Sequence, residues 1–157
     1  MSRAFVKEPD GDAAIDDLPD RTISPNRNLV TPEGYRQIEA ALAHWRAEEA
    51  GTPSDDRSAH ARIARELRYW KARLASAERV EPLARPEQVV FGTEVELRWP
   101  DGRLQTLSLV GEDESAPEQG RIAWTAPLAS ALIGLAEGET ARFRDEELEV
   151  LAIRPLA

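Results

Sequence analysis

The 157-residue chain reads as an α+β protein: an antiparallel helical hairpin followed by a β-rich domain. Three observations point there. Two stretches of apolar residues repeat at alternating spacings of 3 and 4 and are parted by a Gly/Pro break. Short alternating runs then surround a Pro-Asp-Gly turn. Between these two regions lies a proline-bounded linker, Glu81-Pro82-Leu83-Ala84-Arg85-Pro86.

The first helix is announced by Thr31 as a cap, Pro32 at the first helical position and Glu33 near the positive end of the dipole. Tyr35, Ile38, Leu42 and Trp45 form a narrow seam, and Gly51-Thr52-Pro53-Ser54 ends the helix. A second helix begins between Ser54 and Ser58 and carries the seam His60, Ile63, Leu67, Trp70, Leu74 and Ala77. Two such seams joined by a short loop bury themselves against each other, with a tip near residues 51–58. Beyond the linker, strands are expected at Val89-Val90-Phe91-Gly92, at Glu94–Trp99, at Leu104–Val110 and at Arg121–Thr125. A short apolar helix over Pro127–Leu135 and strands at 141–143 and 148–153 complete the domain. Residues 1–30 read as an acidic, turn-rich arm, extended and partly docked; a disordered tail over residues 1–20 is the competing reading. The organisation is thus arm 1–30, hairpin 31–80 and β-rich domain 81–157.

Composition excludes several classes. There is no cysteine, which removes disulfides, thiolate zinc sites and cysteine nucleophiles, and two histidines, His44 and His60, cannot make a three-histidine metal site. No apolar run approaches the ~20 residues of a membrane span, and the first residues lack a signal-like apolar stretch, so the cytoplasm is the expected compartment. The net charge of −9 argues against binding duplex nucleic acid over a broad face. The acid sits mainly in residues 81–157, with 15 acidic and 7 basic groups, whereas residues 59–80 hold six cations (Arg62, Arg65, Arg68, Lys71, Arg73, Arg79) and two anions.

The order of arm, hairpin and β domain resembles the bacterial Gre-type transcription elongation factors (GreA, GreB and the shorter Rnk-like proteins). The residues that carry the resemblance are Val30-Thr31-Pro32-Glu33-Gly34-Tyr35, Asp56-Arg57-Ser58, Arg68-Tyr69-Trp70, Phe91-Gly92-Thr93-Glu94-Val95, Leu109-Val110-Gly111-Glu112-Asp113-Glu114 and Ala126-Pro127-Leu128-Ala129-Ser130-Ala131-Leu132-Ile133-Gly134. The similarity covers residues 29–155 or so. It implies an FKBP-like C-terminal domain that docks at the rim of the secondary channel of RNA polymerase. It also implies a coiled coil entering the channel, whose tip acids help position a Mg²⁺ at the polymerase active centre and stimulate cleavage of a backtracked transcript.

The departures bear on that activity. In the cleavage factors the tip aspartate is followed three residues later by a glutamate. Asp56 holds the aspartate place, but Ala59 stands where the glutamate would be, with Asp55 as an extra acid. Each arm reads as about ten residues shorter than in the cleavage factors, some 15 Å of reach at helical rise. Ser130 and Leu135 stand where the family often has Arg and Lys.

The expected function is therefore an RNA polymerase-binding elongation regulator at the secondary channel, without efficient transcript cleavage and without catalytic residues or cofactors of its own. The alternative is a cleavage factor in which Asp55 and Asp56 contact Mg²⁺ within polymerase; a third reading is a competitor that occludes the channel. Asp113, Pro127, Leu128 and Ser130 are the polymerase-binding candidates. Arg57, Arg62 and Arg65 are the candidates for contact with transcript RNA or channel walls, against the plainer reading of a solvated face with pairs such as Arg62–Glu66. Asp55 and Asp56 are equally suited to capping a helix. Trp45 and Trp70 are seam residues rather than stacking platforms, and His60 is structural or solvent-facing. Glu112-Asp113-Glu114 is a cation site, a solvated loop or a polymerase-facing acid. A monomer that does not engage membranes is expected.

Overall fold

The computed structural model describes residues 18–157, so the expectations for residues 1–17 lie outside the described residues. Among these, the chain divides into two compact units, one formed by 18–24 and 39–75, the other by 25–38 and 76–157. Helix α1 (Pro32–Gly51) and helix α2 (Arg57–Ser76) are each 20 residues, about 30 Å at helical rise.

In the first unit the two helices form the expected antiparallel hairpin. Leu42, Ile63 and Leu67 are buried, and Trp45, Trp70 and Leu74 pack against them. All six are seam positions. So thin a core makes each residue count, since burying one aliphatic side chain contributes roughly 1.5–3 kcal/mol. Arg73, which the charge pattern counts among the solvated cations, is instead buried and engaged.

The second unit is built on a five-stranded mixed sheet in the order β5-β4-β3-β7-β6. Its strands are β3 (Thr93–Arg98), β4 (Leu104–Val110), β5 (Arg121–Ala123), β6 (Thr140–Phe143) and β7 (Glu146–Pro155). Only the β4–β5 pairing is parallel. Val95 and Leu97 of β3, Leu107 and Leu109 of β4, and Leu148 and Val150 of β7 face one core, which Ala129 and Leu132 of helix α3 (Pro127–Leu132) complete. Pro100-Asp101-Gly102 makes the expected turn: Gly102 takes a φ of 86°, and its N–H donates to Trp99 O at 2.9 Å.

Val89–Gly92 is not a strand. Val89 is buried and exchanges two backbone hydrogen bonds of 2.8 Å with Leu135 and Gly134 beyond α3, while Gly92, at φ 80°, turns the chain out of extension. Conversely, β1 (Leu29–Val30) and β2 (Glu78–Arg79) form a two-residue parallel pair that no periodicity could announce.

The start of α1 is held from far away in sequence. Thr31 caps the helix, its Oγ1 accepting from Gly34 N–H at 2.9 Å. The Thr31 hydroxyl donates in turn to Glu114 Oε1, while Glu114 Oε2 accepts from the N–H groups of Thr31 (3.2 Å) and Gly111 (3.0 Å). Glu114 is only 4% exposed, with Arg121 Nη2 at 3.8 Å. The carboxylate lies so close to Gly34 and Gly111 that a Cβ at either would collide with it. On the exposed face of the same turn, hydrogen bonds from Arg36 and then Gln37 hold the Glu33 carboxyl below its ordinary value of 4.5. The stabilisation they bring is present at neutral pH and fades as pH falls below that value.

Two stability measurements check this account. Glu114→Ala strands three buried donors, so urea unfolding should show a loss of about 3 kcal/mol, with a smaller loss for Glu114→Gln; a change under ~0.5 kcal/mol for the alanine variant would contradict the network. The β6–β7 turn places Arg144 (φ 49°) and Asp145 (φ 64°) in the left-handed region, where glycine is favoured. Asp145→Gly should therefore raise the thermal midpoint, by the equivalent of about 0.5–1 kcal/mol, despite losing an exposed 3.6 Å pair with Arg142.

Candidate functional site

Three groups of residues come forward, and each is built locally. At the hairpin tip, α1 closes with the Thr52 hydroxyl donating to Glu48 O at 2.6 Å, and the loop folds so that Asp56 N–H reaches Pro53 O at 3.1 Å. Asp56 is the cap of α2: its Oδ1 accepts from Ala59 N–H at 3.0 Å, and its carbonyl accepts from His60 N–H at 3.1 Å. His60 is structural, its Nε2 lying 3.1 Å from Pro53 O. Asp55 and Asp56 are both exposed, and among the described residues the Asp55 carboxylate has no hydrogen bond or ion pair. The tip thus presents one carboxylate committed to the backbone and one directed to solvent. No group of three or more metal-ligating side chains occurs among the described residues. Mg²⁺ demands an octahedral oxygen shell, and two adjacent acids, one already capping a helix, do not form a metal site of their own.

The second group is the cationic side of α2. Arg57 and Arg62 are exposed, and Arg65 is half-buried with its Nε lacking a hydrogen-bond partner among the described residues. The expected Arg62–Glu66 pair does not form. Glu66 instead binds Arg21 Nη1 at 2.7 Å, and that guanidinium sits 3.6 Å from the centre of the Tyr69 ring. Asp20 pairs with Arg68 Nε at 2.6 Å. The described part of the arm is therefore docked on this helix. The reason is that a planar guanidinium over an aromatic face gains contact that a helical i,i+4 pair does not offer. Toward the tip, Leu18, Arg57, His60, Ala61, Ala64 and Arg68 line an open groove of about 530 Å³.

The third group lies in the second unit. Pro127 and Ser130 are exposed on α3, whereas Leu128 is half-buried against the sheet core. Ser130 lines a pocket of about 410 Å³ with Asn26, Trp124, Thr125 and Ile133, and the Trp124 indole N–H is buried there without a hydrogen-bond partner among the described residues. The acidic run is not one site. Glu112–Glu114 forms a 3₁₀ turn that splays its three side chains. Glu114 points inward to Thr31 and Gly111, and Asp113 is half-buried and engaged in an interaction of its own. Sequence reasoning missed Glu114 as a structural residue. The available signal was that two of the family-like stretches each pair a glycine with a potential partner of that carboxylate.

Residues 84–155 match the family model for "Transcription elongation factor, GreA/GreB, C-term". The transcription elongation factor GreB of Neisseria meningitidis serogroup B is 31% identical over 152 residues, covering 81% of this chain and 93% of its own length. The chain belongs to the GreA/GreB family. The GreA of Methylococcus capsulatus is 30% identical over 135 residues, covering 82% of this chain and 85% of the relative. Among solved structures, a GreA/GreB elongation factor from Nitrosomonas europaea is 20% identical, covers 82% of this chain and 98% of that one, and gives a TM-score of 0.41. No helix among the described residues is long and apolar enough to cross a membrane.

The tip geometry separates the two acids by a measurement of stability. Asp56→Ala should cost about 1 kcal/mol through the lost cap, and Asp56→Asn much less, because the amide oxygen still accepts from Ala59. Asp55→Ala should leave thermal unfolding unchanged; equal losses at both positions would refute the assignment of the cap.

Proposed function

We propose that the protein binds bacterial RNA polymerase at its secondary channel, with the hairpin entering and the α3 surface docking at the rim, and that it regulates elongation without efficient stimulation of transcript cleavage. The observation that carries this reading is the tip. The residue three positions after Asp56 is Ala59, and it offers no carboxylate; its N–H is the donor that ties down one of the two Asp56 oxygens. A second acidic ligand at that position is what the cleavage factors of the family use. The two 20-residue helices add to this. The 152 aligned positions shared with the Neisseria relative take up only 81% of this 157-residue chain, so the relative carries residues this chain lacks. A shortened hairpin is in keeping with that difference. A carboxylate that must bind metal at about 2.1 Å cannot make up a deficit of several ångströms by side-chain motion.

Under this reading Pro127, Leu128, Ser130 and Asp113 contribute the polymerase contact, and Asp55, Asp56 and the cations Arg57, Arg62 and Arg65 face the channel or the transcript. Any bond cleavage belongs to polymerase, and the protein acts as a monomer in the cytoplasm.

The deciding experiment is a cleavage assay on purified backtracked elongation complexes, run beside a polymerase pull-down. The expected outcome is retention on polymerase at moderate salt with cleavage at the rate of polymerase alone, together with protection against an added cleavage factor. Strong stimulation that disappears in Asp56→Asn, a variant that keeps the helix cap, would establish the cleavage reading instead. Failure to recover polymerase at all would overturn both.

A further inference from the structure

We propose that Glu66, Tyr69 and Trp70 of α2 form a binding site for an arginine side chain, one that Arg21 fills as a displaceable plug and that takes an arginine of a partner protein when the plug leaves. Arg21 shows what the site recognises. Its Nη1 lies 2.7 Å from Glu66 Oε2, and its Cζ stands 3.6 Å from the centre of the Tyr69 ring and 5.5 Å from that of Trp70. The two rings meet edge to face, 5.0 Å apart at 87°, so they wall a corner rather than a flat shelf. A carboxylate at one edge and an aromatic face beneath suit a planar guanidinium better than a compact ammonium.

The corner belongs to the helix and not to the arm. Glu66, Tyr69 and Trp70 stand at positions i, i+3 and i+4 of α2, and Trp70 packs against the cluster of Leu42, Ile63 and Leu67, so the corner keeps its shape without Arg21. The Glu66 side chain is only 16% exposed, and an unpaired carboxylate there demands a cation. Arg62, one turn earlier, offers it a helical i,i+4 pair without the aromatic face. The plug itself is lightly held. Leu18 and Ile23, the large apolar residues on either side of it, remain 38% and 44% exposed. The neighbouring Asp20–Arg68 pair, at 2.6 Å, is open to water, where such pairs contribute little. That pair also sets the sign pattern of a replacement: an acid directly before the arginine meets Arg68 while the guanidinium enters the corner. The ligand class is therefore a protein segment bearing an acid–arginine pair. Such a segment competes against tethering, which holds the plug at an effective concentration in the millimolar range. A plug seated about nine-tenths of the time weakens a competitor about tenfold.

The site does not rest on the polymerase reading, and its test uses no polymerase. Full-length Arg21→Ala vacates the corner, and a synthetic peptide of sequence 18–24 serves as the probe. Titration with it should shift the aromatic signals of Tyr69 with a midpoint in the millimolar range, about tenfold lower than in the native chain. The same peptide with lysine in place of its arginine should bind about fivefold more weakly, and Glu66→Gln added to Arg21→Ala should remove the binding. No binding by Arg21→Ala, equal binding by the native chain, a lysine peptide that binds as well, or binding that survives Glu66→Gln each overturns the proposal. The chain that keeps Arg21 gives a second reading. Trypsin must take the Arg21 side chain to cut before Thr22, so seating protects that bond. Cleavage there should quicken about tenfold in Glu66→Gln with the helical signal retained. Equal rates, or faster cleavage only through loss of helix, overturn the plug.

Discussion

One buried carboxylate organises the second unit. Glu114 accepts from the hydroxyl and N–H of Thr31, 83 residues away, and from the N–H of Gly111, so a single side chain satisfies donors from two segments distant in sequence. Each of those donors would otherwise be a costly orphan, because unmade hydrogen bonds in the interior are penalised more heavily than made ones are rewarded. The same carboxylate dictates its surroundings. It comes so near the backbone at Gly34 and Gly111 that neither position has room for a side chain. The first turn of α1 and the chain leaving β4 are thereby fixed together, and the β1–β2 pair follows from where that brings Leu29 and Val30.

At the hairpin tip the same chemistry recurs under different solvation. Asp56 caps α2 much as Thr31 caps α1, but it does so in water, where its second oxygen remains available. The cap there concerns an oxygen acceptor and not a charge. Charge and folding are consequently separable at Asp56 in a way they are not at Glu114. That is why an amide variant can interrogate function at the tip without unfolding the helix beneath it.

How much of this was legible in the sequence depends on whether the signal was local. The two helices, their seams and the break at Gly51–Ser54 follow from a repeat that local physics reads directly, and Leu42, Ile63 and Leu67 are buried as their spacing requires. The strands flanking Pro100-Asp101-Gly102 were legible for the same reason. What escaped was non-local or defied the usual residue preferences. The two-residue strands β1 and β2 are too short to show a period, and Val89–Gly92 has a strand's composition without a strand to pair with. Arg144 and Asp145 make a left-handed turn where glycine and asparagine are the usual signal. In the candidate site, the position of Asp55 and Asp56 at the tip was legible from the loop. The diversion of Glu66 to Arg21 was not, because its partner lies 45 residues away.

The crowding around Glu114 also constrains how such a sequence can change. Enlarging Gly34 or Gly111 runs into the carboxylate; shortening Glu114 leaves Thr31 without its acceptor. No member of the quartet has an easy single-step replacement. Across descendants of this chain the four positions should be inherited as a block, or drift only through paired, compensating exchanges, while the solvent-facing tip a few nanometres along the same helix remains at liberty to diversify.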